Sequence, residues 1–388
     1  MPMRIAHVIT RMIVGGAQEN TLFTCDDLVR EHGDDVLLIT GPAIGPEGDL
    51  LSQGRGERVP VAYVPSLRRA IHPWRDFKSY VAIKRILRDF KPDVVHTHSA
   101  KGGMLGRLAA YSLNIPAIVH TVHGAPFHPY QGRVARELFR QCEKYAARRC
   151  HRLISVADAM TDLMVNAKVA PSEMFTTIYS GMDVEPFLHS NDHRDRVRAE
   201  LGFTAEHVVV GKIARLFHLK GHEYVVAAVA RAVKRTPNLR LLFVGDGVLR
   251  EWLEEFICDA GLEEHVVFTG LVPPSQIPEL VGAMDVLVHA SLREGLARAL
   301  PQALIAGKPV ISYDIDGARE VVISGETGFL LEPKSIEPMC DAMIQLAIDA
   351  ELRARLGEAG RKRFTEQFRH QHMTDEIRRA YAALLANR

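Results

Sequence analysis

The sequence lacks the features that are typical of secreted or membrane-spanning proteins. Its 388 residues include only five cysteines, an odd number with no CxxC pair and no cysteine–histidine spacing typical of a metal site. Scattered thiols of this kind are typical of a reducing compartment, so we expect a cytoplasmic protein without disulfides. No apolar run approaches the ~20 residues that span a bilayer. The opening MPMRIAHVIT leads directly into a strand pattern, which predicts no signal peptide.

A strong net charge is also absent, although the charge is unevenly distributed. The formal net charge of +1 does not indicate a nucleic-acid partner. Residues 66–152 nevertheless hold 17 Lys and Arg against 5 Asp and Glu, a balance of +12 that leaves −11 for the remainder. This asymmetry predicts a basic face suited to an anionic membrane or acceptor, with ordinary solvated helix faces as the alternative. The predicted basic helix 133–150 is the candidate for peripheral membrane contact, or else packs on a sheet as a normal amphipathic helix.

Segments typical of strands and of helices alternate along the whole chain, without internal repeats. This alternation predicts parallel sheets with crossover helices, and 388 residues exceed one ordinary hydrophobic core. We predict an α/β protein of two doubly wound, Rossmann-like domains that face each other across a cleft, at residues 1–185 and 206–368. The polar stretch 185–206 is interpreted as a linker. In such sheets, ligands bind outside the carboxyl ends of the strands.

The motif SLREGLARALPQALIAGKPV, at residues 291–310, is the most informative part of the sequence. It follows an apolar run typical of a strand, has Glu294 and Gly295 near its start, and continues with helical periodicity. Backbone N–H groups in a strand–turn–helix arrangement can bind an anion. Because like charges repel, Glu294 would not bind a phosphate, but it could hold the hydroxyl groups of a sugar attached to one. An ordinary acidic residue near a helix start is the alternative.

A second motif, IARLFHLKG at residues 213–221, places Arg215 and Lys220 between a predicted strand and a predicted helix. An arginine can bind a phosphate through two hydrogen bonds, and a lysine supplies a compact positive charge. Two such cations suit a diphosphate and would stabilise it as a leaving group without a metal ion. A basic surface loop is the alternative.

Glycines and histidines follow several other predicted strands. Gly15-Gly16 and the VGDG motif that contains Gly245 would let a ligand approach the backbone, or would only turn the chain. Neither motif has the third glycine of the dinucleotide fingerprint. The histidines at two strand ends are His96, His98, His120 and His123. No carboxylate or cysteine accompanies them, so we predict no metal and expect hydrogen-bonding histidines that line the cleft, above all His123.

Together these motifs resemble the group 1 glycosyltransferases, the large retaining family 4 with the GT-B fold. The resemblance runs nearly end to end and is carried by the strand-GG-helix opening, HTHSAKGGMLGRLAA, HTVHGAPFH, RLFHLKG, VGDG, VFTGLV, the glutamate motif and GETGFLLEP. The chain looks most like bacterial members that build cell-surface polysaccharide on lipid carriers. The resemblance implies a metal-independent, retaining hexosyltransferase without a cofactor, which moves a sugar from a nucleotide-diphospho-sugar to a glycan or lipid-linked acceptor. UDP is the preferred nucleotide.

The resemblance also implies a role for each matching residue. Arg215 and Lys220 would bind the donor diphosphate, and Glu294 would contact the donor sugar. His123 would hydrogen-bond the transferred sugar. The remaining donor-binding residues would be Gly15, Gly16, Gly245, Leu271, Val272, Gly295, Leu296 and Gln302, with the base held at residues 271–272. A final helix at about residues 369–388 would return to the N-terminal domain.

One position departs from the family pattern. The family has a second glutamate eight positions after the first, where this chain has Gln302. A glutamine oxygen accepts a hydrogen bond without carrying charge, so we expect weaker binding of the ribose. Two alternative functions therefore stay open. One is a sugar-nucleotide epimerase of the same fold, which needs no acceptor, and the other is a non-catalytic sugar-nucleotide-binding relative.

Overall fold

The structure is a computed structural model that describes residues 2–45, 48–53 and 56–386. The chain forms two compact units, Met1–Met182 together with Phe368–Arg388, and Asp183–Gln367. It therefore leaves the first unit, completes the second and then returns. Residue 1 of the predicted domain 1–185, its residues 46–47 and 54–55, and residues 387–388 of the predicted final helix lie outside the described residues.

Strands and helices alternate along the described residues, as the sequence pattern predicts. The strands are β1 (Arg4–Arg11), β2 (Asp35–Gly41), β3 (Val61–Tyr63), β4 (Val94–His98), β5 (Ala117–Val122), β6 (Arg152–Ser155), β7 (Phe175–Thr177), β8 (Val208–Ile213), β9 (Leu239–Val244), β10 (Val266–Phe268), β11 (Val286–His289), β12 (Val310–Tyr313) and β13 (Gly328–Leu331). The helices are α1 (Gly16–Arg30), α2 (Pro73–Phe90), α3 (Ala100–Ser112), α4 (Arg133–Ala147), α5 (Asp158–Asn166), α6 (Glu185–Leu188), α7 (Arg194–Glu200), α8 (His222–Ala232), α9 (Arg250–Asp259), α10 (Ile277–Ala283), α11 (Ala299–Ile305), α12 (Ile336–Ile348), α13 (Ala350–Phe364) and α14 (His370–Ala386). None of the described helices has the length and apolar character that crossing a bilayer requires.

Each unit is built on one parallel sheet whose strand order reverses beside its first strand. Among the described strands the order is β3-β2-β1-β4-β5-β6-β7 in the first unit and β10-β9-β8-β11-β12-β13 in the second. The central strands are covered on both faces, which explains apolar runs such as VVV in β8. The reversals fall between β1 and β4 and between β8 and β11, and ligands of doubly wound sheets bind at such points.

The interpretation of residues 185–206 as a linker is wrong. This stretch forms α6 and α7, which belong to the second unit and pack against α10. Arg194 Nη2 lies 2.5 Å from Oδ1 of Asp285, and Arg198 Nη1 lies 3.2 Å from its Oδ2. The same carboxylate accepts a hydrogen bond of 2.7 Å from the N–H of Val209. The stretch is polar because its charges bind a carboxylate inside the unit, which periodicity alone does not reveal.

The C-terminal helix α14 packs against α1 in the first unit. His370 Nδ1 and Thr374 Oγ1 lie 2.7 and 2.9 Å from Oδ2 of the buried Asp27. The guanidinium of Arg378 donates to Oδ2 of Asp34, also buried, at 2.8 Å. Two buried carboxylates near the start of the chain therefore have their hydrogen-bond partners near its end.

Candidate functional site

Two of the predicted motifs meet at the reversal point of the second sheet. β8 and β11 are neighbours, so the loops that follow them, residues 214–221 and 290–298, leave the same edge of the sheet side by side. A backbone hydrogen bond of 2.8 Å joins the N–H of Leu292 to the C=O of Leu219. RLFHLKG and the glutamate motif, which are far apart in sequence, therefore form one site.

Lys220 and Glu294 form an ion pair in this site. The ammonium group of Lys220 donates to Oε1 of Glu294, and both side chains are mostly buried. Burial is the largest single influence and opposes ionisation of the carboxyl group. The charge and hydrogen bond of Lys220, together with smaller contributions from neighbouring groups, outweigh burial and hold the pKa of Glu294 below its ordinary value. The carboxylate of Glu294 is therefore ionised at neutral pH.

Gly221 allows the two loops to come together. Its φ of +65° is left-handed, and a Cβ atom at this position would lie 2.0 Å from the carbonyl oxygen of Ala290. A side chain would strain the backbone and push the loop after β8 away from the loop after β11. The glycine at the end of RLFHLKG is therefore required by the close approach of these two loops.

The loop around Gly295 is also attached to the residues that follow β12. The N–H of Glu294 donates to Oδ2 of Asp316 at 2.6 Å, and the N–H of Gly317 donates to the C=O of Gly295 at 3.0 Å. Burial raises the pKa of Asp316 above its ordinary value. Asp316 is not predicted from the sequence as a site residue, although its place after the strand next to β11 is a signal that could identify it.

The helix in the glutamate motif begins at Ala299, so that Pro301 lies in its first turn. α11 starts beyond Gly295 and Leu296, so their N–H groups belong to a loop and not to a helix terminus. Pro301 is the third residue of α11, where its missing N–H removes no helical hydrogen bond. Gln302 follows with its side chain half-buried. Any contact between these N–H groups and a phosphate would therefore depend on loop geometry.

Arg215 and the predicted base-binding residues follow β8, β9 and β10. Arg215 is exposed, and its guanidinium carbon lies 5.1 Å from the ring centroid of Phe217. The N–H of Gly245 donates to the C=O of Gly270 at 3.1 Å, which joins the VGDG motif to the predicted base loop at residues 271–272. Gly245 and the base loop therefore lie together at the carboxyl edge of the second sheet, where the exposed Arg215 also lies.

A group of buried basic residues near the ion pair is not predicted from the sequence. Lys212, in β8, is buried, and its Nζ has no hydrogen-bond partner among the described residues. Burial and the charge of Lys220 lower the pKa of Lys212 to about 7. Nε2 of His289 lies 3.7 Å from Oε1 of Glu294, and burial lowers the pKa of His289 to about 3. The available signal is a polar residue inside an apolar strand, in VVVGKI and VLVH.

In the first unit, the glycine motif and the histidines lie at the carboxyl edge of the sheet. Gly15 is the N-cap of α1 and Gly16 is its first residue, and the N–H of Glu19 donates to the C=O of Gly15 at 2.9 Å. His98 ends β4, and its Nδ1 lies 3.2 Å from Nε2 of His123. The loops after β1, β4 and β5 therefore carry the predicted residues of this unit.

His123 belongs to a column of three hydrogen-bonded imidazoles. Nδ1 of His7 lies 3.0 Å from Nε2 of His98, and His98 in turn contacts His123. Burial lowers the pKa of His7 to about 3, and burial with the neighbouring imidazoles lowers the pKa of His98 well below its ordinary value. Both rings are therefore neutral at pH 7 and fix the orientation of His123. His7 is not predicted from the sequence, and it reaches the column because β1 and β4 are neighbours.

His7, His96 and His98 could also hold a metal ion, since one ring nitrogen of each lies within 4.8 Å of the others. His96 Nε2 lies 2.7 Å from the Thr121 hydroxyl, and its Nδ1 lies 2.5 Å from that of Tyr381. Among the described residues, Nε2 of His7 is the one nitrogen of the three rings without a hydrogen-bond partner. A metal ion would have to replace these hydrogen bonds.

The neutral histidines predict a stability that declines in mild acid. In the unfolded chain a histidine gains a proton below a pH of ~6.5, whereas His7 stays neutral in the folded protein down to about 3. The unfolded state then binds more protons, so the free energy of unfolding falls as the pH falls below ~6.5. Urea denaturation between about pH 8 and pH 5 measures this slope. In the variant His7→Gln the free energy of unfolding should fall less steeply below ~pH 6.5 than in the wild type, and above ~pH 7 the two should change in parallel. An equally steep fall in both proteins would contradict a neutral His7.

Family models match both halves of the chain. A model described as "Glycosyl transferases group 1" matches residues 193–363, and one described as "Glycosyl transferase 4-like domain" matches residues 15–181. The UDP-Gal:alpha-D-GlcNAc-diphosphoundecaprenol alpha-1,3-galactosyltransferase of Escherichia coli is 28% identical over 389 residues, which cover 100% of this chain and 98% of that protein. The capsular polysaccharide biosynthesis glycosyltransferase CapM of Staphylococcus aureus is 24% identical and covers 92% of each chain.

Two solved structures illustrate the shared fold. Anabaena HepE, crystallised with UDP and glucose, matches with a TM-score of 0.80 and 22% identity over 98% of this chain and 100% of that chain. WaaG, a glycosyltransferase involved in lipopolysaccharide biosynthesis, matches with a TM-score of 0.73 and 18% identity over 96% of this chain and 98% of that one. The chain belongs to the group 1 glycosyltransferases. It is a glycosyltransferase of the GT-B type, which confirms the predicted family and fold class.

Proposed function

We propose that the protein transfers a sugar from a UDP-sugar to a hydroxyl group of a lipid-linked glycan acceptor, with retention of configuration and without a metal ion. The observation that carries the proposal is the Lys220–Glu294 pair at the reversal point of the second sheet. An ammonium group beside a carboxylate suits a ligand in which a diphosphate is attached to sugar hydroxyl groups. UDP in the HepE structure, and UDP-galactose with a lipid diphosphate in the name of the Escherichia coli relative, support this choice of substrates.

The chemistry follows from the charges of this site. The donor diphosphate would take Lys220 away from its partner and bind Arg215 as well, while Glu294 accepts hydrogen bonds from the sugar hydroxyls. Negative charge develops on the diphosphate as its bond to the anomeric carbon breaks, and the two cations stabilise that charge. The acceptor hydroxyl attacks from the same face and passes its proton to the departing phosphate oxygen. No protein nucleophile is required, and the two cations perform the charge stabilisation for which a metal ion could otherwise serve.

The first unit is proposed to supply the acceptor side of the reaction. Gly15 and Gly16 would leave space for the donor phosphates, and His123 would hydrogen-bond the transferred sugar. The neutral column behind His123 supports this role, because a fixed imidazole can select a hydroxyl group without adding charge.

The donor is tested by calorimetric titration of UDP, GDP and ADP. We expect selective binding of UDP and an affinity at least about tenfold lower in Arg215→Ala, because a hydrogen bond to a charged group contributes about 1.5–3 kcal/mol. Arg235→Ala, which removes another exposed arginine of the same unit, is the matched control and should bind UDP normally. UDP binding that is equally strong in Arg215→Ala would contradict the proposed donor site.

Gln302 favours a second candidate, a sugar-nucleotide-binding protein without transferase activity. The uncharged amide stands where the family has its second glutamate, so ribose binding would be weaker. Gln302→Glu is the diagnostic variant. UDP-sugar binding without UDP release in the wild type, with turnover appearing in Gln302→Glu, would support this candidate and overturn the proposed transferase.

We further propose that the first unit contacts an anionic membrane from the cytoplasmic side. α4 buries Glu143, Ala146 and Ala147, but Val134 is 84% exposed and Leu138 is 58% exposed. Apolar side chains that project from a basic helix are typical of interfacial helices. Co-sedimentation with vesicles tests this contact, and sedimentation that does not depend on the anionic lipid content would contradict it.

A further inference from the structure

An arginine-rich pocket lies at the carboxyl edge of the first sheet. It has a volume of about 570 Å³, and the residues that line it include Arg11, Ile44, Arg68, Arg69, Ala70 and Arg75. Arg11 ends β1, Ile44 follows β2, Arg68 and Arg69 follow β3, and Arg75 is in the first turn of α2. The pocket is therefore formed by the loops after three neighbouring parallel strands, the edge at which such sheets bind ligands.

The charge of this pocket is not compensated within the described part of the chain. None of its four guanidinium groups lies within ion-pair distance of a described carboxylate. The adjacent Asp76 is already engaged, because its Oδ1 lies 2.7 Å from Nζ of Lys101. Four uncompensated positive charges in one concave site predict a ligand with several negative charges.

Three of the four arginines donate to backbone carbonyls, and one of them is Arg68, whose Nε donates to the C=O of Pro65 at 3.5 Å. Arg11 donates from Nη1 to the C=O of Ile44, and Arg75 donates from Nη2 to the C=O of Ala70 at 3.3 Å. Nε of Arg75 is buried and has no hydrogen-bond partner among the described residues. A buried donor without a partner is costly, so a ligand acceptor at this position would be stabilising.

Large apolar side chains are exposed next to the pocket. Ile71 directly follows Ala70 and is 72% exposed, while Trp74 and Phe77 are 74% and 59% exposed. Trp74 and Phe77 are three residues apart on α2, so they lie on the same face of the helix, on either side of Arg75 in sequence. Exposed apolar side chains beside a polar site mark a contact with an apolar ligand or surface.

We infer that this pocket binds the diphosphate group of the acceptor lipid, and that Ile71, Trp74 and Phe77 contact the hydrocarbon chain attached to it. This inference rests on the proposed function and adds a recognition site for the carrier. Arginine binds phosphate oxygens in pairs of hydrogen bonds, so two phosphates match four guanidinium groups better than one does. A phospholipid headgroup has the same chemistry, but a pocket at the ligand-binding edge of the sheet favours a substrate.

The tryptophans allow a direct test. The chain has two tryptophans, so Trp252→Phe leaves Trp74 as the reporter beside the pocket. Farnesyl diphosphate, a short soluble prenyl diphosphate, is titrated into this variant with saturating UDP present to occupy the donor site. We expect a saturable change in Trp74 fluorescence, much weaker binding of farnesol, and weaker binding of inorganic pyrophosphate. No saturable change with farnesyl diphosphate would overturn the inference.

The charge contribution is tested by Arg68→Gln with Arg69→Gln in the same background. These side chains are exposed, so the fold should tolerate the change, and the affinity for farnesyl diphosphate should fall by at least about tenfold. Arg85→Gln with Arg88→Gln removes the same charge elsewhere on α2 and should bind normally. Equal affinity in both double variants would contradict the pocket.

Two further measurements separate the alternatives. If the Arg68/Arg69 variant binds farnesyl diphosphate normally but no longer sediments with phosphatidylglycerol vesicles, the pocket serves membrane headgroups and the acceptor assignment is wrong. Calorimetric UDP binding is measured on the same variants and should be unchanged. If the wild type does not bind UDP, the proposed donor function is wrong. That outcome is measured by calorimetry, whereas a failure of the pocket is measured by the farnesyl diphosphate titration.

Discussion

Glu294→Gln is expected to lower sugar transfer from a UDP-sugar by about a hundredfold while UDP itself binds as well as before or more tightly. The two effects have opposite causes. The neutral amide accepts hydrogen bonds from the sugar hydroxyl groups more weakly than the carboxylate does, so the transition state loses an interaction. The ammonium group of Lys220, which donates to Glu294 in the free protein, is released from a charged partner and becomes available to the diphosphate.

Two measurements on one variant decide this prediction. UDP release with a lipid-linked acceptor gives kcat/KM, and calorimetry gives the Kd of UDP. Glu251→Gln, an exposed glutamate on α9, is the matched control and should change neither quantity. If transfer and UDP affinity fell together in Glu294→Gln, the carboxylate would be supporting the loop or the diphosphate site, and its assignment to the donor sugar would be wrong.

Glu143→Ala is expected to destabilise the protein by about 3–5 kcal/mol, the cost of leaving one member of a buried ion pair alone. Arg107, in α3, is fully buried, and its Nη1 lies 2.7 Å from Oε1 of Glu143 in α4. The guanidinium is held in place by a hydrogen bond of 2.9 Å from Nε to the C=O of Gly103. Without Glu143 the buried charge of Arg107 would lose its ion-pair partner.

Urea denaturation followed by circular dichroism measures the loss. Glu137→Ala removes the exposed partner of Arg140 on the same helix and should leave the midpoint almost unchanged. The double variant Arg107→Met with Glu143→Leu removes both charges and should recover most of the stability. A midpoint for Glu143→Ala equal to that of Glu137→Ala would contradict the assignment of a strong buried pair.

The sequence predicts the parts of the site that depend on local pattern. Lys220 and Glu294 each follow an apolar strand in a glycine-containing loop, and the strand–loop–helix alternation places such loops at one edge of a sheet. Their contact depends in addition on β8 and β11 being neighbours. The family resemblance supplies this strand order, which periodicity along the chain does not contain.

The parts that the sequence misses depend on long-range contacts. Lys212 and His289 look like ordinary members of strands, and they become part of the site because β8 and β11 pair. His7 meets His98 because β1 and β4 pair across a long stretch of chain. The stretch 185–206 has the composition of a linker, but Asp285 binds two of its arginines, Arg194 and Arg198. In each case, the deciding neighbour lies far away in sequence.

The return of α14 has a consequence for the order in which a newly made chain can fold. Asp27 and Asp34 are synthesised before the second unit, but their partners on α14 are synthesised after the whole of it. The second unit is contiguous in sequence, so it can fold before the final helix of the first unit has been synthesised. A chain that stops at residue 367 would therefore contain every residue of the second unit but would lack the final helix of the first. A chaperone that protects this intermediate would have to cover the surface of α1 and β5 on which α14 later packs.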